Sequence, residues 1–160
     1  DARSIQALTA LGYGAQLTLK LLVKASQECS AEYGAVETLL KGYEVALPPS
    51  VSFKDKGGFE RTNMRTQWWQ YEATCLQEIA LPADLDLGAA ANDAIPSDMP
   101  RYGVEEKPCF VGHYWLRGEP APRTHNVACL DYSVAKQGKL VAYRWSGEAV
   151  LRNDHFAYVG

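Results

Sequence analysis

The sequence has little of what a membrane protein, a nucleic-acid binder or a zinc protein needs. It contains no run of about 18 apolar residues, so we expect no transmembrane helix and no membrane partner. The formal net charge of −3 argues against a nucleic-acid partner, because such domains are usually basic. The four cysteines form no C-x-x-C pair, so their spacing predicts no zinc site. We interpret them as buried free thiols, which indicates a reducing cytoplasm.

Histidine is scarce, and only one of the three histidines stands in a pattern that favours ligand chemistry. Cys109, Phe110 and Val111 form a short apolar run that predicts a buried strand, and Gly112 and His113 follow it. The glycine lets the chain bend or another group come close, and the histidine offers a neutral ring nitrogen to a metal. From this residue alone, a structural histidine at a strand end is the better interpretation. His125 and His155 are predicted to have surface or packing roles.

The rest of the chain predicts helices first and strands afterwards. We expect a short helix before Gly12, capped by Asp1 or Ser4, and further helices at residues 17–27, 31–43 and 60–78. Lys56-Gly57-Gly58 is predicted to be a turn, and residues 81–100 an exposed, irregular connection. Strands are predicted near residues 108–112, 127–134, 139–145 and 155–159. Taken alone, this order indicates an α+β arrangement in one domain.

Two arginines and one aspartate are candidate site residues, each with a competing interpretation. Arg61 and Arg65 fall on one side of the predicted helix and can bind a substrate phosphate or carboxylate, since guanidinium groups match both. The alternative is that they form salt bridges with Asp55, Glu60 or the acidic connection after Leu81. Asp131 lies in an apolar run, where a carboxylate needs hydrogen-bond partners. It either orients His113 or accepts hydrogen bonds from loop amides, or it is a structural strand-end residue.

The motifs Phe110-Val111-Gly112-His113, Leu130-Asp131-Tyr132 and Gly138-Lys139-Leu140-Val141 resemble the C-terminal end of calcineurin-like metallophosphoesterases. The similarity is to the bacterial branch that includes diadenosine tetraphosphate hydrolases and serine/threonine protein phosphatases. Upstream, Leu39-Leu40-Lys41-Gly42-Tyr43-Glu44 and Phe53-Lys54-Asp55-Lys56-Gly57, with Arg61, Arg65, Trp68 and Trp69, resemble the same branch. The resemblance therefore covers most of the chain.

This resemblance implies an α/β fold, in which the chain is part of a four-layer α-β-β-α sandwich with N-terminal helices and a β-rich C-terminal part. Residues 1–160 would be the C-terminal half of the metallophosphoesterase domain. His113 would be a metal ligand in the complete protein, which would use divalent Mn, Fe or Zn ions. A water activated by two metals would hydrolyse a phosphoester or phosphoanhydride bond of a phosphorylated small molecule or phosphoprotein.

The chain also departs from the family pattern. The Asp-x-His, Gly-Asp-x-x-Asp-Arg and Gly-Asn-His motifs are absent, and Trp115 stands where many members have a further histidine. Because the sequence begins at Asp1 without Met, a fragment or a processed chain is expected. We therefore expect no catalysis by this chain alone, and a partner that is either the missing N-terminal half or a second copy. The alternative function is a non-catalytic module that binds a partner chain.

Overall fold

The computed structural model describes residues 2–14, 16–49, 51–55 and 58–160. It is a mixed α/β structure with short helices and several small sheets. Its elements are α1 (Ala2–Ala10), α2 (Leu19–Ala25), α3 (Ala31–Lys41), β1 (Glu44–Ala46), β2 (Phe53–Lys54), β3 (Glu60–Arg61), β4 (Asn63–Thr66), α4 (Leu76–Ile79), β5 (Ala80–Leu81), β6 (Cys109–Val111), β7 (Pro122–Thr124), β8 (Val127–Cys129), β9 (Asp131–Tyr132), β10 (Lys139–Tyr143) and β11 (Phe156–Val159). Within the described ranges, no helix is long and apolar enough to cross a membrane.

The chain divides into two compact units. The first comprises Asp1–Trp68 and Ala73–Pro100, and the second comprises Trp69–Glu72 and Arg101–Gly160. The expected cap at Asp1 and the Lys56-Gly57 part of the expected turn lie outside the described residues.

Side-chain caps define the helices of the first unit. Thr18 accepts a hydrogen bond from the Leu21 N–H at the start of α2, and Ser30 accepts one from the Tyr33 N–H at the start of α3. Gly42 ends α3 with a φ of 88°, a left-handed value that glycine adopts without steric cost. These boundaries confirm the predicted second and third helices.

The predicted helix at residues 60–78 is wrong. The segment instead forms β3, β4 and, after an irregular stretch, the short α4. Met64 and Thr66 are buried on β4, which pairs with β1 on one side and β5 on the other. Asn63, Thr62 and Thr66 favour strand or turn conformations over a helix, and cross-strand burial decides the outcome.

Residues 81–100 also differ from the prediction, because they complete the core of the first unit. Leu85, Leu87 and Met99 are buried, and a 3₁₀ helix at Gly88–Asn92 follows the two leucines. We predicted an exposed segment from its acidic residues and overlooked the apolar residues that are buried. The buried core cluster consists of Val45, Leu47, Met64, Leu76, Ile79, Ala80, Leu85, Leu87, Ala90 and Met99.

The second unit contains two small three-stranded sheets. In one, β8 lies between β6, to which it is parallel, and β7, to which it is antiparallel. In the other, β10 lies between β9 and β11 and is antiparallel to both. All three residues of β8 are fully buried, which explains its continuous apolar run.

Most of the predicted strands in this unit are confirmed, with three corrections. The strand predicted near residues 127–134 is divided into β8 and β9, which belong to different sheets. Phe110 on β6 is exposed, so β6 is not the buried strand that we predicted. β7 lies in a Pro-rich stretch for which we predicted no strand. The prediction of free cysteines is confirmed, but only Cys129 is buried, whereas Cys29 is exposed.

Candidate functional site

The candidate site is the loop that follows β6, where His113 and Trp115 both have left-handed backbones. Their φ values are +67° and +51°, and the Trp115 value is unusual for a bulky side chain. Tyr114 between them is buried, and its ring packs edge-on against Trp69 with centroids 5.1 Å apart. The His113 side chain is half-buried and its ring lies 6.4 Å from that of Trp115. The loop is therefore anchored by Tyr114, with His113 and Trp115 on either side of it.

Gly112 does not have the role that the sequence suggested. It does not have a left-handed φ, and an added Cβ would meet only the Asp131 Cβ, at an ordinary distance of 4.0 Å. The sharp change of direction occurs one residue later, at His113. The chain therefore places a histidine in a conformation that glycine or asparagine would adopt at lower cost.

Asp131 holds this loop in place. Its Oδ2 accepts a hydrogen bond from the Trp115 N–H at 3.3 Å, and its backbone carbonyl accepts one from the Leu116 N–H at 2.9 Å. Its Oδ1 accepts a third from the Ser133 N–H at 3.0 Å. Of the roles that we considered for Asp131, the structure supports the one in which it accepts hydrogen bonds from loop N–H groups. Asp131 and His113 thus belong to one local arrangement.

A second strained loop lies against the first. It follows β9, and Ser133 and Gln137 have φ values of 61° and 60° on either side of a 3₁₀ helix at Val134–Lys136. The Ser133 hydroxyl donates to the Leu116 carbonyl at 3.1 Å, which joins the two loops. The ammonium group of Lys136 lies 4.7 Å from the centre of the Trp115 ring. The result is an exposed tryptophan with a cation over its ring, beside a histidine.

The described residues do not form a complete metal site. Within the described ranges, no group of three or more His, Cys, Asp or Glu side chains is placed to hold an ion. Burial raises the pKa of the Cys109 thiol, and it also raises the pKa of the Cys129 thiol, so neither is prepared to act as a thiolate ligand. His113 is thus at most one ligand of a site that needs further ligands, and no reaction step follows from it here.

The other two histidines make hydrogen bonds within the second unit. The His125 Nε2 lies 2.8 Å from the Val104 carbonyl oxygen. The His155 Nδ1 lies 2.8 Å from the Glu148 Oε1, and both side chains are largely buried.

Glu148 is the centre of a hydrogen-bond network that the sequence did not reveal. Its carboxylate accepts hydrogen bonds from the Tyr143 hydroxyl and the Ser146 N–H, each at 2.7 Å, in addition to the His155 contact. Desolvation raises the pKa of this carboxyl, but the hydrogen bonds outweigh it and lower the pKa to about 2. The network fixes the turn between β10 and β11. The one indication of this network in the sequence was the Ser146-Gly147 pair, which favours a turn.

Asn126 is a second residue that the sequence did not single out. It is 1% exposed, and its Nδ2 donates to the carbonyl oxygens of Gly103 at 2.8 Å and Glu106 at 3.1 Å. Its Oδ1 accepts from the Thr124 hydroxyl at 2.9 Å. This buried amide holds the segment that leads into β6.

Arg61 and Arg65 lie in the first unit and face acidic neighbours. The Arg61 Nε and Nη2 donate to the Asp55 Oδ2 at 2.8 and 2.6 Å. The Arg65 Nε lies 3.8 Å from the Glu44 Oε1, its cross-strand neighbour. The two arginines belong to different sheets rather than to one helix face, which corrects the arrangement that we predicted. The salt-bridge interpretation is confirmed for Arg61, whereas Arg65 lies opposite Glu44, which we did not predict as a partner. Substrate binding by the two arginines stays a prediction.

The tryptophans next to these arginines are packing residues. Trp69 is buried, and Trp68 packs against the core of the first unit.

No protein-family model, curated protein or solved structure matches this chain.

Proposed function

We propose that this chain is the C-terminal portion of a metal-dependent phosphoesterase, in which His113 contacts one of two divalent metal ions. The observation that carries the proposal is the held geometry of His113. A half-buried imidazole stands at the end of β6 with φ +67°, in a loop tied down through Asp131. Left-handed non-glycine residues persist where the surroundings over-determine them, and they cluster at functional sites.

The proposal extends to the fold and to the role of Asp131. The two sheets of the second unit would belong to a four-layer α-β-β-α sandwich that the complete protein forms. Asp131 would position the His113 loop through the Trp115 and Leu116 amides rather than contact the metal. Divalent Mn, Fe or Zn ions would supply an activated water for attack at phosphorus, with the missing ligands contributed by residues outside this chain.

A hydrolysis assay tests the proposal. The purified chain, with its intact mass and metal content measured, is given Mn²⁺ and p-nitrophenyl phosphate. We expect a 17.6 kDa chain that retains no stoichiometric metal and gives no turnover. A longer polypeptide that carries the missing ligand motifs ahead of these residues should turn over. In it, His113→Ala should lower kcat/KM by about 100-fold or more, since even residues that orient metal ligands contribute 10–100-fold.

A matched variant makes the assay specific. In the longer polypeptide, His125→Ala removes a histidine that is held by the Val104 carbonyl, and it should leave kcat/KM within about threefold of wild type. Unchanged turnover in His113→Ala would contradict the proposal.

The alternative, a non-catalytic module that binds a partner chain, is favoured by one feature. Leu140 and Val159 pair across β10 and β11, and they are 59% and 67% exposed. The neighbouring pair, Ala142 and Ala157, is also exposed. An apolar strip on a sheet face is typical of a surface that another chain covers.

Sedimentation velocity over a range of concentrations tests self-association through this strip. The alternative expects a dimer that Leu140→Lys abolishes, with Leu22→Lys on the exposed face of α2 as a matched control. A monomer at every concentration would contradict self-association.

A further inference from the structure

We propose that Trp115 and Lys136 form a binding subsite for a planar aromatic group that carries a phosphate, as in a nucleotide. This inference deepens the proposed phosphoesterase function and rests on it for its biological setting. The geometry itself concerns only the two loops of the second unit and can be tested without metal.

Trp115 carries a large aromatic ring on a left-handed backbone. Such a backbone is costly for a bulky L-residue, and glycine or asparagine would adopt it more easily. The ring is only partly buried, since Trp115 is 44% exposed. The chain nevertheless holds this residue with hydrogen bonds from its own N–H and from Leu116 to Asp131. An exposed aromatic ring in a fixed position points to recognition.

Lys136 lies close to the Trp115 ring and supplies a positive charge beside it. It is exposed, and the two left-handed residues Ser133 and Gln137 shape the 3₁₀ helix that carries it. This shape brings its ammonium group to 4.7 Å from the centre of the Trp115 ring. An ammonium group is a point charge suited to phosphate, and an indole is the side chain on which a base stacks.

Trp115 also lies next to His113, and the centres of the two rings are 6.4 Å apart. A ligand stacked on Trp115 with its anionic end toward Lys136 would lie beside the imidazole. The combination selects ligands with both parts, an aromatic plane and an anion. Adenosine would have only the plane, and inorganic phosphate only the charge.

The experiment is a titration of the metal-free chain followed by NMR of the four tryptophan indole N–H resonances. We expect AMP to shift the Trp115 resonance in a saturable manner. Adenosine and inorganic phosphate should bind at least fivefold more weakly than AMP. Phenyl phosphate distinguishes a general aromatic phosphate site, which it would fill as well as AMP does, from a site that selects a nucleobase.

Three variants test the assignment. Trp115→Asn keeps a residue that tolerates the left-handed backbone, so its thermal midpoint should not fall, whereas the Kd for AMP should rise about tenfold or more. Lys136→Gln should raise the Kd for AMP and not that for adenosine. The matched control is Trp145→Phe, which removes another exposed tryptophan of the same unit and should leave the Kd unchanged.

Two results would overturn the proposal. One is an AMP titration that does not move Trp115, and the other is an equal loss of affinity in the Trp145 and Trp115 variants. The subsite and the phosphoesterase proposal fail separately. His113→Ala should leave AMP binding to the metal-free chain intact. AMP binding together with unchanged turnover of His113→Ala in the longer polypeptide would refute only the phosphoesterase proposal.

Discussion

Replacement of Asp131 should release the His113 loop. In Asp131→Ala, the N–H groups of Trp115 and Ser133 lose their carboxylate partner, at 3.3 and 3.0 Å respectively. Hydrogen bonds to charged groups contribute about 1.5–3 kcal/mol each, and partial exposure and the longer bond place both at the low end. Relaxation of the two left-handed residues can recover about 1 kcal/mol. The expected net loss of unfolding free energy is therefore about 2 kcal/mol.

Asp131→Asn refines this prediction. An asparagine has one acceptor oxygen, so it can serve only one of the two N–H groups, and its amide donor would face the other. We expect it to recover at most half of the loss. Urea unfolding monitored by circular dichroism gives the free energies, and the amide resonances of Trp115 and Leu116 report on the loop itself.

The control and the contradicting result for Asp131 are well defined. Asp154 is an exposed carboxylate paired with Arg152, and its replacement by alanine should leave the unfolding free energy nearly unchanged. If Asp131→Ala were as mild as Asp154→Ala, Asp131 would not hold the loop, and the positioning of His113 would need another cause.

Three further predictions concern the rest of the second unit. Asn126→Asp places an acceptor oxygen against the Gly103 and Glu106 carbonyl oxygens, so urea unfolding should show a loss of about 3 kcal/mol or more. Gly138→Ala would put a Cβ 1.9 Å from the Tyr132 carbonyl oxygen and should greatly lower the thermal midpoint, whereas Gly112→Ala should be tolerated. Glu148 has a folded pKa of about 2 and an ordinary value of 4.5, so its contribution to stability is complete above pH 4.5 and lost as the pH falls toward 2. Glu148→Gln should flatten the stability–pH curve in that window, and an unchanged curve would refute this role.

Local sequence signals predicted those parts of the fold that local interactions determine. Ser30 and Gly42 define the ends of α3 through a side-chain cap and a left-handed backbone, both of which act within a few residues. The strand β6 was likewise recognisable from its own residues. By contrast, β4 was predicted as part of a helix because Met64, Trp68 and Tyr71 fit a helical period, and only pairing with β1 and β5 decides the matter.

The candidate site was only partly predictable. His113 stands out by its place after a strand, and Asp131 by its charge in an apolar run. The contact between Trp115 and Lys136 depends on two loops that are distant in sequence, and no pattern along the chain indicates it. We placed Arg61 and Arg65 on one side of a helix because of their spacing. This placement is wrong because the segment forms β3 and β4 instead.

The most direct test of a metal-contacting His113 is a titration of the ¹⁵N-histidine-labelled chain with Mn²⁺, followed by NMR of the three imidazole rings. A paramagnetic ion broadens the ring that it contacts. Our account predicts that His113 broadens at the lowest Mn²⁺ concentration, while His125 and His155, which are held by the Val104 carbonyl and Glu148, stay sharp. Broadening of His125 or His155 first, or of all three equally, would contradict the assignment of His113 as a metal contact.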